Sequence, residues 1–371
     1  MKNNRTFLDK LLDGAEVKWM PLNEVANIAN NARKPVKSSL RISGNIPYYG
    51  ANNIQDYVEG YTHDGEFVLI AEDGSASLEN YSIQWAVGKF WANNHVHVVN
   101  GKEKLNNRFL YHYLTNMNFI PFLAGKERAK LTKAKLQQIP IPIPPLPVQT
   151  EIVKILDALT ALTSELTSEL TLRRKQYEYY REKLLSEEEL GKVGFEWKPL
   201  GEVTNIKTGQ AVSKYSISQN PGIYPVINSG REPLGFINEW NTENDPIGIT
   251  TRGAGVGSIT WQEGKYFRGN LNYSVTVKSD YKLNIGFLYH ILLHFQKEIH
   301  NLCSFTGIPA LNASELKKLE ISIPAIEEQQ RIVSILDKFE TLTNSITEGL
   351  PLAIEQSQKR YEYYRELLLS F

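Results

Sequence analysis

A chain of 371 residues, 42% hydrophobic and 22% charged, has room for two domains with their own cores and is neither disordered nor fibrous. Its 41 basic and 41 acidic residues cancel, which argues against a nonspecific nucleic-acid coat but leaves local basic patches open. The single cysteine, Cys303, rules out an intramolecular disulfide or a cysteine-based zinc cluster and suits a reducing cytoplasm; the start, MKNNRTFLDKLLDG, lacks a signal peptide's apolar core, and no run is long enough to span a membrane.

From about 15 to 145, short apolar runs punctuated by Gly, Asn and Pro predict irregular strands with a few helices. Phe67–Ala71 and Val96–Val99 are predicted strands, and Leu105–Leu123 a helix, because Phe109 and Tyr113, like Leu110 and Leu114, fall four apart. Pro144, Pro145 and Pro147 then stop a strand and place proline in a first helical turn. Ile152, Leu159 and Leu166 step by seven, Ile155 and Leu162 follow the same step, and Leu170, Tyr177 and Leu184 carry a neighbouring seam. That stripe predicts a long helix ending near Ser186, followed by a polar break at Glu187–Glu189 and Gly191.

The chain then repeats itself. Trp19, Pro21 and Leu22 return as Trp197, Pro199 and Leu200; Phe109 to His112 as Phe287 to His290; Ile141 to Pro144 as Ile321 to Pro324. KQYEYYRE at Lys175 to Glu182 returns as KRYEYYRE at Lys359 to Glu366. The second helix keeps the stepping at Ile332, Phe339 and Ile346, but Gly349-Leu350-Pro351 should kink or break it. Two copies make a tandem duplication rather than a solenoid. The expected fold is α+β: two similar domains of mixed α/β with irregular strands, joined by two long antiparallel helices with a pseudo-two-fold relation. The alternative is that each helix packs only on its own domain. The expected divisions are 1–145, 146–190, 191–325 and 326–371. Inside the first helix, Thr163-Ser164-Glu165-Leu166 is followed by Thr167-Ser168-Glu169-Leu170. Each such tetrapeptide advances a helix by about 6 Å, close to two base pairs of DNA, unless it is a slipped duplication without consequence.

Catalytic chemistry is sparse. Gly253-Ala254-Gly255-Val256-Gly257 is neither G-x-G-x-x-G nor a P-loop and reads as a turn, plain or phosphate-approaching. His290 and His294 sit four apart near His300 and Cys303, yet His112 matches His290 without those neighbours, so a structural role outweighs a metal. No methyltransferase, nuclease or Ser-His-Asp constellation is seen. What stands out is amide, aromatic and basic chemistry suited to base edges and phosphates. The candidates in the first copy are Tyr48, Tyr49, Asn52, Asn53, Lys89, Asn93, Asn94, Lys126, Arg128, Lys130 and Lys133. In the second copy they are Asn228, Ser229, Arg231, Arg252, Lys265, Arg268 and Asn270. No catalytic residue and no metal site is assigned.

The run Ile141 to Gln149, its counterpart Ile321 to Gln329, QYEYYREKLL, RYEYYRELLL and the TSEL tandem resemble the specificity subunit of type I restriction-modification systems over the whole length. The resemblance implies two target-recognition domains, each reading half of a bipartite double-stranded DNA site. It also implies helices that set the spacing and dock two methyltransferase subunits, with restriction subunits joining. S-adenosylmethionine, ATP and Mg would be bound by those partners and no cofactor by this chain, a non-catalytic subunit. Tyr177, Tyr180, Arg181, Tyr361, Tyr364 and Arg365 are the partner-binding candidates; Tyr177, Tyr180 and Leu184 should face the other helix, leaving Arg181 and Glu182 for solvent or the docked methyltransferase. Because the scaffolds match while the loops differ, the site should be asymmetric. The competing readings are a helical-hairpin scaffold that binds only protein and a self-sufficient enzyme.

Overall fold

The computed structural model describes residues 7–125, 129–230 and 232–371. These form two compact units, Met1–Thr167 with Ala353–Phe371, and Ser168–Leu352. Each unit takes helix from both copies of the repeat, and the division between them falls inside the long helix.

In the first unit, strands β1 (Lys18–Pro21), β2 (Ala26–Ile28), β3 (Ser43–Tyr49), β4 (Ile54–Val58), β5 (His63–Ala71), β6 (Ile83–Ala92), β7 (Val96–Gly101) and β8 (Pro140–Ile143) follow in order. Six form one sheet, β2-β7-β5-β6-β3-β4, and β1 pairs with β8. Only β3 and β6 run parallel within it. The strands predicted at Phe67–Ala71 and Val96–Val99 are there. The predicted helix is shorter, Asn107–Asn116, because Met117 turns to extended backbone.

The second unit repeats the plan with β9 (Phe195–Pro199), β10 (Thr204–Thr208), β11 (Pro221–Ile227), β12 (Phe236–Ile237), β13 (Thr242–Glu243), β14 (Ile247–Thr250), β15 (Ile259–Trp261), β16 (Lys265–Arg268), β17 (Asn272–Val277) and β18 (Glu320–Pro324). Its sheets are β10-β17-β14-β15, β12-β11-β16-β13 and β18-β9. The long β5 of the first unit corresponds to β13 and β14, split where Asn244 takes φ +56° ahead of Pro246, which has no amide to donate. Where the first unit turns the same corner it uses Gly65 and Gly88, both at positive φ, and the strands stay whole.

Both cores rest on duplicated residues. Leu22, Phe109, Leu110, Leu136, Ile141, Ile152 and Leu156 are fully buried in one, and Leu200, Phe287, Leu288, Leu316, Ile321, Ile332 and Leu336 in the other. Each such aliphatic or aromatic side chain contributes roughly 1.5–3 kcal/mol on leaving water.

The spacer helix is unbroken over Leu146–Leu184, close to the predicted end. Its start is fixed by Gln149, whose Nε2 donates to the carbonyls of Pro144 (2.8 Å) and Lys104 (3.0 Å) while its Oε1 accepts the Asn106 amide (2.9 Å). Gln329 does the same to Pro324, Lys282 and Asn284. The second helix is interrupted as the Gly-Leu-Pro run predicts: Ile326–Asn344 ends, and Gly349–Leu369 begins at Gly349, φ +80°. A Cβ there would lie 2.6 Å from the Thr341 carbonyl oxygen. In the second unit, Arg174 donates to the Thr343 carbonyl and Tyr177 stacks on Phe339, so the two helices run antiparallel there. The stripe is not buried throughout: Leu162 is exposed.

Candidate nucleic-acid interface

Two parallel neighbours bring the turns at their carboxyl ends to one edge. Tyr48 and Tyr49 of β3 lie opposite Trp91 and Ala92 of β6, so turns 50–53 and 93–95 emerge together. The Asn93 amide donates to the Tyr49 carbonyl (3.2 Å) and the Glu72 amide to the His95 carbonyl (2.8 Å), which adds the segment after β5. Asn52 ties that segment down, its Nδ2 donating to the Gly74 carbonyl and its Oδ1 accepting the Ala76 amide. Ala124 and Lys130 pair beside it, and the Leu131 amide donates to the Glu72 carbonyl.

The second unit assembles the same edge. Val226 and Ile227 of β11 lie opposite Phe267 and Arg268 of β16, and the Gly269 amide donates to the Ile227 carbonyl (2.7 Å). Arg252 follows β14 and bridges to Ala310 of a hairpin closed by Ser304 and Ala310. In open α/β sheets, ligands gather at the carboxyl ends of parallel strands, and these edges share that geometry.

The candidates separate by burial. Asn52, Asn53, Asn94, Lys130, Lys133, Arg252 and Asn270 are exposed on or beside these edges; Lys89 and Lys265 are exposed on β6 and β16; Tyr49 and Ser229 are half-buried. Lys130 is committed electrostatically, since the Glu72 carboxylate takes Lys130 Nζ at 2.9 Å and Arg33 Nη1 at 2.7 Å. Burial alone would raise the Glu72 carboxyl, but the bonds from Arg33 and Lys130 outweigh it and hold it below the usual range. Lys126, Arg128 and Arg231 lie outside the described residues.

Four candidates need correcting, because their polar groups serve the fold. Tyr48 is 1% exposed, with its hydroxyl accepting the Val36 amide and Arg41 lying over its ring. Asn93 is buried and caps the His95 amide. Asn228 is buried and accepts the Leu271 amide. Arg268 is 3% exposed: Nη1 donates to Asn272 Oδ1 (2.6 Å) and the Ile247 and Tyr273 carbonyls, and Nη2 to the Asp245 carbonyl and the Tyr266 hydroxyl. It is a bracket between strands.

The helix candidates also turn inward. Tyr177 is buried on Phe339, with its hydroxyl 3.3 Å from His290 Nδ1, and Tyr180 stacks on Phe339. Those tyrosines meet the other helix, as expected. Arg181 lies over the Tyr177 ring and Arg365 over the Tyr361 ring, while Tyr361 and Tyr364 pack on the first core. Tyr180 is 38% exposed; the most exposed aromatics of the two octapeptides are Tyr179 and Tyr363, at 59% and 62%, which are absent from the sequence candidates. Two residues from Tyr177 and Tyr361, they fall on another helix face, the signal that could have found them.

His112 and His290 are clamps. Each is buried on its domain helix, with Nε2 2.8 Å from a carboxylate oxygen of Asp157 or Asp337 on the following helix. Burial pushes both imidazoles below the ordinary histidine value, and the aspartates oppose this. Among the described residues, His290, Asp337 and Glu340 alone bring three ligand-type atoms within 4.8 Å of one another. The first unit has the same His–Asp pair with Thr160 at the place of Glu340, so the pair stands without a third ligand.

The model for the type I restriction modification DNA specificity domain matches residues 15–172 and 192–356, once per copy. A putative type I restriction enzyme specificity subunit of Haemophilus influenzae is 64% identical, covering 100% of this chain and 100% of that protein. A type I restriction enzyme specificity subunit of Escherichia coli is 34% identical over 99% of this chain and 97% of its own length. The crystal structure of the type I restriction-modification S subunit from M. genitalium has the same fold, with a TM-score of 0.68 at 18% identity over 100% of this chain and 96% of that one. With the domain matched in both copies and relatives alike over their whole length, the chain belongs to the type I restriction-modification DNA specificity subunits.

Proposed function

We propose that this subunit reads an asymmetric bipartite duplex, one half with each unit, and is itself non-catalytic. Two methyltransferase subunits dock on its helices and restriction subunits join them in the cytoplasm. S-adenosylmethionine, ATP and Mg belong to those partners.

The observation that carries asymmetry is the mismatch between equivalent edges. Asp73 stands where the other unit has Arg252, as the amides of Leu131 and Leu311 mark by bonding to the preceding residues, Glu72 and Thr251. An acceptor in one reader and a guanidinium in the other select different base edges. The sequences between the paired residues differ likewise, AGKERAK from Ala124 to Lys130 against SFTGIPA from Ser304 to Ala310.

The test is co-expression with the methyltransferase and genome-wide mapping of methylated adenines. Two different half-sequences at a fixed gap are expected. Identical inverted halves would overturn the asymmetry, and no methylated motif would favour a scaffold that binds only protein.

A further inference from the structure

Tyr61 precedes Thr62, whose amide donates to the Phe90 carbonyl (3.0 Å); Trp240 precedes Asn241, whose amide donates to the Tyr266 carbonyl (3.2 Å). The two aromatics therefore occupy one position of the repeat, and Lys89 and Lys265, the residues before those carbonyls, occupy another. Each lysine lies over its aromatic: Lys89 Nζ is 4.8 Å from the Tyr61 ring centroid and Lys265 Nζ 4.4 Å from that of Trp240. Tyr61 is 50% exposed and Trp240 42%, so neither builds a core. The cross-strand neighbours match as well, Asp64 opposite Lys89 and Glu243 opposite Lys265. At 3.9 Å, Glu243 is too far from Lys265 for a direct hydrogen bond, which leaves the ammonium's donors available.

These pairs persist while the surfaces around them diverge. Asp73 answers to Arg252, and the sequence between Ala124 and Lys130 differs from that between Ser304 and Ala310. A side chain that reads bases must change with the half-site. One that touches what both half-sites share can stay. In duplex DNA the shared part is the sugar-phosphate backbone.

We propose that Tyr61–Lys89 and Trp240–Lys265 are twin backbone clamps, one per half-site, with the ammonium on a phosphate and the ring face against the neighbouring deoxyribose. This rests on the DNA-reading function proposed above. The clamps contribute affinity that is independent of sequence, and the pre-placed ring limits the lysine's freedom before binding.

The experiment uses the full complex with methyltransferase, the duplex carrying its mapped motif and an unrelated duplex, titrated from about 50 to 200 mM salt. Lys89→Gln and Lys265→Gln should each weaken both duplexes by the same factor. Each should reduce the log–log salt slope by about 1, and the double variant by about 2, with the methylated motif unchanged. An unchanged slope would overturn the clamp. So would a changed motif, which would mean base reading, or loss of methyltransferase from the complex by native mass spectrometry, which would mean a protein-docking surface. If the unsubstituted complex binds neither duplex, the DNA-reading function itself fails, a result distinct from all of these.

Discussion

Thr163 Oγ1 lies 2.9 Å from Ser357 Oγ, a hydroxyl contact between the spacer helix and the C-terminal helix within the first unit. Thr163 also opens the first TSEL tetrapeptide, and the helix is continuous through both tetrapeptides. Deleting Thr163–Leu166 would bring Thr167 into the same local sequence while removing about 6 Å of helix. The gap between methylated half-sites should shorten by about one to two base pairs. Methylome sequencing of the deletion measures this, and an unchanged gap would remove the spacer helix as the ruler.

The His112–Asp157 and His290–Asp337 clamps predict both a cost and a pH dependence. Asp157→Ala leaves His112 and Arg108 without their acceptor and should cost about 1–3 kcal/mol in urea unfolding. Because burial lowers both histidines, the folded state binds fewer protons than the unfolded chain near and below the ordinary value of 6.5. Their contribution is complete above that pH and is lost as pH falls through the folded values. Urea midpoints should therefore drop between about pH 7.5 and 5.5. His112→Gln with His290→Gln should flatten part of that slope, while His63 and His97, lowered by burial as well, keep the rest.

Gln149 bridges three backbone groups, the Asn106 amide and the carbonyls of Lys104 and Pro144. Gln149→Leu keeps the volume and removes the bonds, and should destabilise by about 2–3 kcal/mol. Gln329→Leu should match it, since its bonds are the same. Thermal unfolding of each variant compares them directly.

Arg252→Ala and Arg268→Ala separate reading from folding. The exposed Arg252 should leave the melting temperature unchanged within a degree or two and relax or shift one half of the methylated motif. Removal of Arg268, a buried charge with five acceptors, should lower stability by several kcal/mol, at least about 3, before DNA is considered. Calorimetry and motif mapping on both variants give the contrast.

Gly349 restarts the second helix at φ +80° with two carbonyls pressed against the space a Cβ would fill. Gly349→Ala should cost about 1–3 kcal/mol from strain alone, and urea denaturation reads it.

The duplication was legible because Phe109, Ile141, Ile152 and their counterparts are fully buried, and burial leaves a sequence little room to drift. The helix ends were legible because proline and glycine act locally, as at Pro147 and Gly349. The work of Gln149 was not, since its partners at 104, 106 and 144 meet only in the fold. Arg268 misled for the same reason: its sequence neighbours Gly269 and Asn270 suggest an open loop, while five acceptors from 245 to 273 enclose it. Tyr179 was hidden among three tyrosines whose composition is the same and whose helix faces differ.

Within the second unit, Tyr177, Leu184 and Leu185 of the first octapeptide's helix pack on the second domain's core; within the first unit, Tyr361, Leu368 and Leu369 pack on the first. Each domain is thus seated in a socket furnished by the other copy's sequence, and the sockets are nearly identical. A domain moved from one place in the gene to the other would meet the same seat.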